Sequence, residues 1–272
     1  MESPKISVVM PAYNAEKYIA EAIESILNQT FRDFEFIIID DASTDNTGKI
    51  IAEYAKKDNR IKVFTNEKNL YISKTLNLGL SCAQSEIIAR MDADDISLPE
   101  RLEKQYKKIT ENNDIAVVGT YIRVINEKGD FLYIRKYPLE DKKLKRNMFK
   151  YSPFAHPVVM YRKKVVIEFR GYLPVYSPSE DLNLWFRVGT KYKFATVPEV
   201  LFEYRFFSDS HSNRKLKTVE IKTLKMRWYA YRHQGYKPSF FDVIYNIGQA
   251  STLFIMPTKM RISLFNFIRR YI

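Results

Sequence analysis

The chain has 272 residues, of which 46% are hydrophobic and 14% aromatic, a composition typical of packed globular proteins and not of disordered ones. Its single cysteine, Cys82, cannot form an internal disulfide, and no apolar stretch reaches the roughly 20 residues that span a bilayer. The amino-terminal residues do not resemble a signal peptide. We therefore expect a cytoplasmic protein with one large α/β domain.

The net charge of +12 is concentrated near the carboxyl end of the chain. Residues 212–272 contain 12 lysines and arginines but only two acids, Glu220 and Asp242, which gives this segment a net charge of +10. Such an excess indicates an anionic partner, either a membrane surface or a nucleic acid. Because no recognised nucleic-acid-binding motif accompanies the charge, we expect no nucleic-acid partner. We predict a catalytic domain over residues 1–211 and a basic helical extension over residues 212–272.

Short apolar runs alternate with amphipathic segments over the first 120 residues. Strands are predicted at residues 6–10, 34–39, 61–64, 86–91 and 115–119. Helices are predicted after Asn14 as an N-cap, at residues 47–57, at 73–83 and from Pro99 onward. Because the strands show little polar alternation, this order predicts a mostly parallel sheet with helices on both faces. A later strand near residues 151–161, a helix from Asp181 and helical structure from about residue 213 complete the prediction.

Polar clusters follow three of these strands, at residues 11–14, 40–45 and 92–95. Ligands of such sheets bind beyond the carboxyl ends of the strands. Asp92 and Asp94 are two carboxylates one residue apart, and they either share a hard divalent cation or simply cap the next helix. The phosphate-binding glycine motifs are absent from the sequence, so a bound diphosphate would be held mainly by metal and side chains.

Other candidate residues each carry two interpretations. Asp41 either accepts a hydrogen bond from a nucleoside or caps a helix. Glu180 and Asp181 are either acids favoured by a helix dipole or a general base with its neighbour. His156 has apolar neighbours, which favours a structural role over an acid, base or ligand role. His211 lies in a polar loop and is a candidate for a late metal or diphosphate contact.

Taken together, four segments resemble glycosyltransferase family 2, an inverting family with the GT-A fold. They are SVVMPAYN at 7–14, SILNQTF at 25–31, DDASTD at 40–45 and MDADD at 91–95. The resemblance is tight over residues 5–101 and extends loosely to about residue 211. It implies transfer of a sugar from a nucleotide-diphosphate sugar, by default UDP-linked, to a hydroxyl of a glycan or lipid-linked acceptor in bacterial polysaccharide synthesis.

The resemblance also implies roles on the donor side of the site. Pro11, Ala12 and Tyr13 would line the nucleoside pocket, and Asp41 would contact the base. Lys74 lies where family members often carry an arginine near the donor.

The resemblance assigns metal binding and catalysis to residues that lie later in the chain. Asp92 would contact the ribose or the metal, and Asp94 would ligate Mn²⁺ or Mg²⁺, with His211 as a further candidate ligand. Asp181 would be the catalytic base. Two side chains, His156 and Glu180, are implied as contacts to acceptor or donor.

Two alternative functions remain from the residues alone. One is another nucleotide-sugar enzyme of the nucleotidyltransferase type, although the glycine- and arginine-rich loop expected for a triphosphate is absent from the sequence. The other is a non-enzymatic basic protein that binds nucleic acid or membrane.

The end of the chain predicts an interfacial helix. Met260, Leu264, Phe267, Ile268 and Tyr271 share one helical face, beside basic residues that would meet anionic lipid. The alternative is that this stripe packs on the catalytic domain or on a second subunit. We therefore expect a peripheral protein on the inner face of the cell membrane.

Overall fold

The computed structural model describes residues 3–207, 216–257 and 260–261. Within them, nine strands form one mixed sheet with the order β3-β2-β1-β4-β8-β6-β9-β5, and β7 pairs with β6. The strands are β1 Ile6–Ala12, β2 Phe34–Asp40, β3 Ile61–Thr65, β4 Ile87–Arg90, β5 Ile96–Ser97, β6 Ile115–Ile125, β7 Phe131–Arg135, β8 Met160–Arg162 and β9 Lys193–Arg205. The helices are α1 Ile19–Leu27, α2 Thr47–Lys57, α3 Tyr71–Cys82, α4 Arg101–Thr110, α5 Asp141–Asn147, α6 Lys163–Glu168, α7 Glu180–Val188, α8 Leu216–His233 and α9 Phe240–Ile255.

The first half of the sheet is parallel, as predicted. β1 pairs with β2 and β4, β2 pairs with β3, and all three pairings are parallel. Every residue of β1 and β2 is buried, which explains why neither strand alternates between polar and apolar residues. α1 buries Ile19, Ala22, Ile23 and Ile26 on one face, so the amphipathic helix predicted after Asn14 is confirmed.

The second half of the sheet departs from a simple parallel series. β8 lies between β4 and β6 and runs antiparallel to both. The predicted strand at 115–119 is the start of β6, which continues to Ile125 and pairs in parallel with the long β9. The parallel order is interrupted because β8, from the irregular middle of the chain, fills the position next to β4.

Two predicted helix starts are wrong. Asn14 does not cap α1, which begins at Ile19. Asn14 has a left-handed backbone (φ 48°), its N–H donates to Ser43 Oγ at 3.0 Å and its Oδ1 accepts from Thr44 N–H at 2.8 Å, so it joins the loops after β1 and β2. Pro99 precedes α4, which begins at Arg101.

The two carboxyl-terminal helices pack against the sheet domain. Met226 and Ala230 of α8 are buried in the main core. Arg227 Nε donates to the carbonyl of Met148 at 2.9 Å, and Asn246 Nδ2 of α9 donates to the carbonyl of Phe149 at 2.8 Å. Across the described segments, every helix is too short or too polar to cross a bilayer. The apolar stripe predicted between 260 and 271 lies outside the described residues beyond position 261.

Candidate active site

A cavity of about 680 Å³ lies at the carboxyl ends of β1, β2 and β4. The structure brings nine of the predicted site residues to its lining. They are Pro11, Ala12, Tyr13, Asp41, Asp92, Asp94, His156, Glu180 and Asp181. Lys74 is exposed on α3 and is absent from the lining, while His211 lies outside the described residues. The polar strand ends therefore meet at one site, and α7 delivers a second pair of acids to it.

Three carboxylates form a compact cluster in the turn after β4. Asp92, Asp94 and Asp95 each place an oxygen within 4.8 Å of the others. Asp92 also accepts two hydrogen bonds from the buried guanidinium of Arg90, at 2.6 and 2.8 Å. Asp95 Oδ1 accepts from the N–H of Arg205 at 2.8 Å, whereas its buried Oδ2 has no hydrogen-bond partner. The cluster thus has a buried carboxylate oxygen that no donor of the described residues satisfies.

Two groups of the cluster, Asp94 and Asp95, hold protons more tightly than ordinary carboxyl groups. Burial, reinforced by the negative charge of Asp92, raises the pKa of Asp94 to about 7. Burial, reinforced by the negative charges of Asp94 and Asp92, raises the pKa of Asp95 well above its usual range. A hard divalent cation prefers oxygen ligands of this kind and would relieve their mutual repulsion. The donor set and the unsatisfied oxygen of Asp95 therefore fit Mn²⁺ or Mg²⁺.

Arg205, at the end of β9, fixes the conformation of this turn. Its Nε donates to the carbonyl of Asp94 at 2.8 Å, and its terminal nitrogen pairs with Glu21 of α1 at 2.6 Å. The side chain is buried, so these bonds hold the acidic turn against β9 and α1. Sequence reasoning missed this role, because a single arginine at a strand end carries no local signal.

Glu180 and Asp181 form the first turn of α7 at another part of the cavity wall. Burial, together with the charge of Asp181, raises the pKa of Glu180 to about 7. Burial also raises the pKa of Asp181, but Arg90 and a hydrogen bond from Ser152 Oγ at 3.3 Å oppose this increase. Glu180 is nearly inaccessible, whereas Asp181 is only half-buried. Asp181 is the better placed of the two to accept a proton from a ligand.

His156 has the packed surroundings of a structural histidine. Its Nε2 lies 3.2 Å from the hydroxyl of Tyr172, and its ring contacts Trp185 edge-on. Burial and the positive charge of Arg90 hold the pKa of His156 well below its usual value, so the imidazole is neutral at neutral pH. The ring nevertheless borders the cavity, where a neutral imidazole can exchange a hydrogen bond with a bound sugar.

Asp41 already has three protein partners. Its carboxylate accepts from Asn66 Nδ2 at 2.6 Å and from the N–H groups of Leu70 and Tyr71 at 2.9 and 3.0 Å. It therefore caps the start of α3, which is not the helix that follows it directly in the chain. The side chain also borders the cavity, so the cap does not exclude a contact to a nucleoside.

The structure adds other site residues that the sequence analysis did not select. Arg90 stands at the end of an otherwise apolar strand, which is a signal that could have identified it. Tyr71 is 69% exposed at the cavity and has no such signal. Arg227 of α8 and Gln249 of α9 also line the cavity, so the basic extension contributes to its wall.

The fold and this site indicate a glycosyltransferase with the GT-A architecture. Residues 7–170 match the model of Glycosyl transferase family 2, and the chain belongs to this family. It is 40% identical over 226 residues to the O-antigen biosynthesis glycosyltransferase WbnJ of Escherichia coli, covering 82% of this chain and 87% of that protein. It is 28% identical to the UDP-Gal:alpha-D-GlcNAc-diphosphoundecaprenol beta-1,3-galactosyltransferase of Escherichia coli, covering 96% of this chain and 94% of that protein.

Two solved structures share the fold. TarS 1–349 of S. aureus in complex with UDP superposes with a TM-score of 0.67 and 21% identity, covering 96% of this chain and 75% of that one. The mannosyltransferase PcManGT of Pyrobaculum calidifontis, solved with GDP-Man and Mn²⁺, gives a TM-score of 0.63 and 14% identity, covering 98% of this chain and 81% of that one. Both similarities concern the architecture, which confirms the predicted GT-A fold. The family membership disfavours the nucleotidyltransferase and the non-enzymatic alternatives.

Proposed function

We propose that the protein transfers a hexose or N-acetylhexosamine from a UDP-linked sugar to a hydroxyl of a glycan or lipid-linked acceptor, with inversion at the anomeric carbon. The observation that carries this proposal is that one cavity is bordered both by the Asp92–Asp94–Asp95 cluster and by the Glu180–Asp181 pair. An acid cluster suits a metal-bound diphosphate, and a separate carboxylate suits a general base.

The nucleoside would bind where β1 and β2 end. Pro11, Ala12 and Tyr13 offer an apolar edge and a half-exposed aromatic ring for the base, and Asp41 offers a carboxylate oxygen. Asp92 faces the same cavity and would accept from the ribose. Lys74 is not part of this proposal, since its side chain lies away from the cavity lining. The UDP complex of TarS and the name of the galactosyltransferase relative support uracil as the base.

Asp94 and Asp95 would hold Mn²⁺ or Mg²⁺ beside the diphosphate. When bound, the cation supplies positive charge that offsets the negative charge of the departing nucleoside diphosphate. The Mn²⁺ complex of the mannosyltransferase supports this choice of cofactor. Arg205 would keep both carboxylates aimed at the same point by holding the turn rigid.

Asp181 would accept the proton of the attacking acceptor hydroxyl. A single displacement inverts the anomeric carbon and needs a base on the face opposite the leaving group. Ser152 and Arg90 favour the ionised form of Asp181. Neutral His156 would orient the sugar or the acceptor through a hydrogen bond and would not take the proton.

The carboxyl-terminal extension would bring the enzyme to its acceptor. We propose residues 1–211 as the catalytic domain and residues 212–272 as an extension that brings the enzyme to the inner face of the membrane. The lipid-linked substrate in the name of the galactosyltransferase relative supports an acceptor of this kind. The net charge of +10 in the extension supports an anionic surface as its partner.

The test is a donor screen that measures release of nucleoside diphosphate with and without Mn²⁺. We expect one UDP-sugar to be turned over, chelation to abolish the turnover, and the product to have the anomeric configuration opposite to that of the donor. Asp181→Asn should lower turnover by roughly 10²–10⁴ while leaving donor affinity near normal.

Glu180→Gln is the matched control for the base assignment, because it neutralises the neighbouring acid in the same helical turn. We expect this variant to retain most of its turnover. If Glu180→Gln lost turnover and Asp181→Asn kept it, Glu180 would be the base. If all UDP-, GDP- and dTDP-sugars failed with every acceptor fraction tested, the proposed reaction would be wrong.

A further inference from the structure

The carboxyl-terminal helices expose an unusual share of large apolar side chains. In the described part of the chain, 21 such side chains are exposed, and 11 of them lie between residues 221 and 260. Phe240 and Ile247 of α9 are 74% and 61% exposed, and Trp228 of α8 is 61% exposed. These side chains lie on two helices that contact each other, and a large exposed apolar patch marks an interaction site more often than other parts of a surface do.

α9 turns an apolar face outward and a mostly polar face toward the protein, which is the reverse of an ordinary surface helix. At 3.6 residues per turn, one face of the helix points outward and is mostly apolar. The outward positions are Phe240, Ile244, Ile247, Ser251 and Ile255. The opposite positions are Asp242, Asn246, Gln249 and Leu253, which are buried or half-buried against the protein. Three of these four inward side chains are polar, so the apolar outer face is not explained by packing within the described chain.

The polar inner face of α9 is held by specific bonds. Asp242 is fully buried, closes a capping box with Ser239, and lies 3.5 Å from the ammonium of Lys150. Gln249 Oε1 accepts from Arg227 of α8 at 2.8 Å. The helix is therefore fixed with its apolar face outward, and this orientation is not that of a loosely attached segment.

The charges around this face indicate the nature of its partner. Lys225, Arg232 and Lys237 are exposed on α8 and on the connection to α9. A second copy of the chain would bring another segment with a net charge of +10 against them. An anionic bilayer instead offers acyl chains for the apolar side chains, headgroups for exposed tryptophan and tyrosine rings, and negative charge for the basic residues.

We propose that the outer face of α9, together with the exposed aromatic rings of α8, inserts into the headgroup layer of an anionic bilayer. Other positions of the same helices line the cavity, namely Val219, Thr223 and Arg227 of α8 and Gln249 of α9. Membrane contact on one side of this wall therefore places the cavity beside the bilayer surface. The inference deepens the proposed function, since it identifies where a lipid-linked acceptor would approach.

The experiment uses the full chain with sedimented vesicles of phosphatidylcholine alone or mixed with phosphatidylglycerol. We expect binding to the mixed vesicles, weaker binding in high salt, and little binding to phosphatidylcholine alone. The double variant Phe240→Gln/Ile247→Gln should lower the partition coefficient by at least about tenfold, because burial of each large apolar side chain contributes on the order of a factor of ten. The matched control is Phe131→Gln/Ile134→Gln, which removes exposed apolar side chains from β7 and should bind as the unmodified chain does.

Binding of Mn²⁺-UDP and the far-UV circular dichroism spectrum report whether each variant keeps its fold and donor site. Vesicle binding does not depend on turnover, so its failure is separable from failure of the proposed reaction. Equal vesicle binding by the α9 variant and the unmodified chain would overturn the proposal, as would absence of binding to anionic vesicles. A concentration-dependent dimer in sedimentation velocity that the α9 variant abolishes, without vesicle binding, would assign the face to a second copy.

Discussion

The affinity of the acid cluster for Mn²⁺ should depend on pH. Asp94 has a pKa of about 7, raised by burial and by Asp92, and it must lose its proton before it can ligate a cation. Proton and metal therefore compete below pH 7, and the affinity should fall by about tenfold for each pH unit if one proton is displaced. Between pH 8 and pH 5.5 the predicted loss is about thirtyfold, with a plateau above neutral pH. The raised pKa of Asp95 would make the decrease steeper.

The measurement is a titration of the nucleotide-free protein with Mn²⁺, followed by the electron paramagnetic resonance signal of the free ion. Asp94→Asn should abolish both the affinity and its pH dependence. Asp33→Asn, at an exposed acid paired with Lys5, is the control and should behave as the unmodified protein does. An affinity for Mn²⁺ that stays constant from pH 5.5 to pH 8 would refute the reasoning, as would an Asp94→Asn variant with unchanged binding.

Three further predictions concern single side chains. Ser152→Ala removes a hydrogen bond that lowers the pKa of Asp181. In a plot of turnover against pH, the loss of turnover on the acid side should therefore begin at a higher pH, while turnover at alkaline pH is retained. An acid-side loss at the same pH as in the unmodified protein would contradict this. Gly248→Ala should raise the free energy of unfolding in urea by about 1 kcal/mol, because the new methyl group meets no atom of the described residues within 4 Å and alanine favours the helix. Ala42→Gly should raise the free energy of unfolding by about 0.5–1 kcal/mol, because Ala42 has a left-handed backbone with φ of 60°, which glycine adopts at less cost. Lower stability of the Gly248→Ala or the Ala42→Gly variant in urea would contradict the corresponding prediction.

The sequence predicts the parallel half of the fold well because its signals are local. The apolar runs that became β1 and β2 are buried on both faces, so their residues needed no alternation. The acidic clusters after β2 and β4 were placed at one edge by strand direction alone. Asp92 and Asp94 could therefore be assigned to the same site as Asp41 before any contact was known.

The remaining features depend on contacts between distant segments. Arg205 binds Asp94 and Asp95, which lie about 110 residues earlier in the chain. Asp41 caps α3 from a different strand end, and a helix cap supplied across a loop has no signature in the adjacent residues. β8 has three residues and takes its place beside β4 through tertiary packing, which overrides weak local propensity. The contribution of α8 and α9 to the cavity wall depends in the same way on long-range packing.

Left-handed backbone conformations gather around the proposed nucleoside pocket. Asn14, Ala42 and Tyr71 have φ values of 48°, 60° and 63°, and each adjoins a cavity-lining residue or is one. Conformations of this kind cost energy in residues other than glycine and persist where the surrounding structure enforces them. Here the enforcement is visible, since Asn14 is bonded to the loop after β2 and Tyr71 donates to Asp41. The cost is consistent with a pocket that is shaped before its ligand arrives.

The charge of Arg90 acts both on the acid cluster and on Asp181 and His156. Its side chain is only 3% exposed and pairs with Asp92, while its positive charge also lowers the pKa of Asp181 and that of His156. Burial raises the pKa values of Asp94 and Asp95, and the nearby carboxylates raise them further against the opposing charge of Arg90, so both groups hold protons more tightly than ordinary carboxyl groups. A divalent cation that displaced those protons would add positive charge at the point where the diphosphate leaves, without requiring Arg90 to move away from Asp92. The crowding of buried carboxyl groups in the acid cluster thus makes it receptive to a cation once their protons are lost, and the charge of Arg90 opposes the increase that burial causes in the pKa of Asp181.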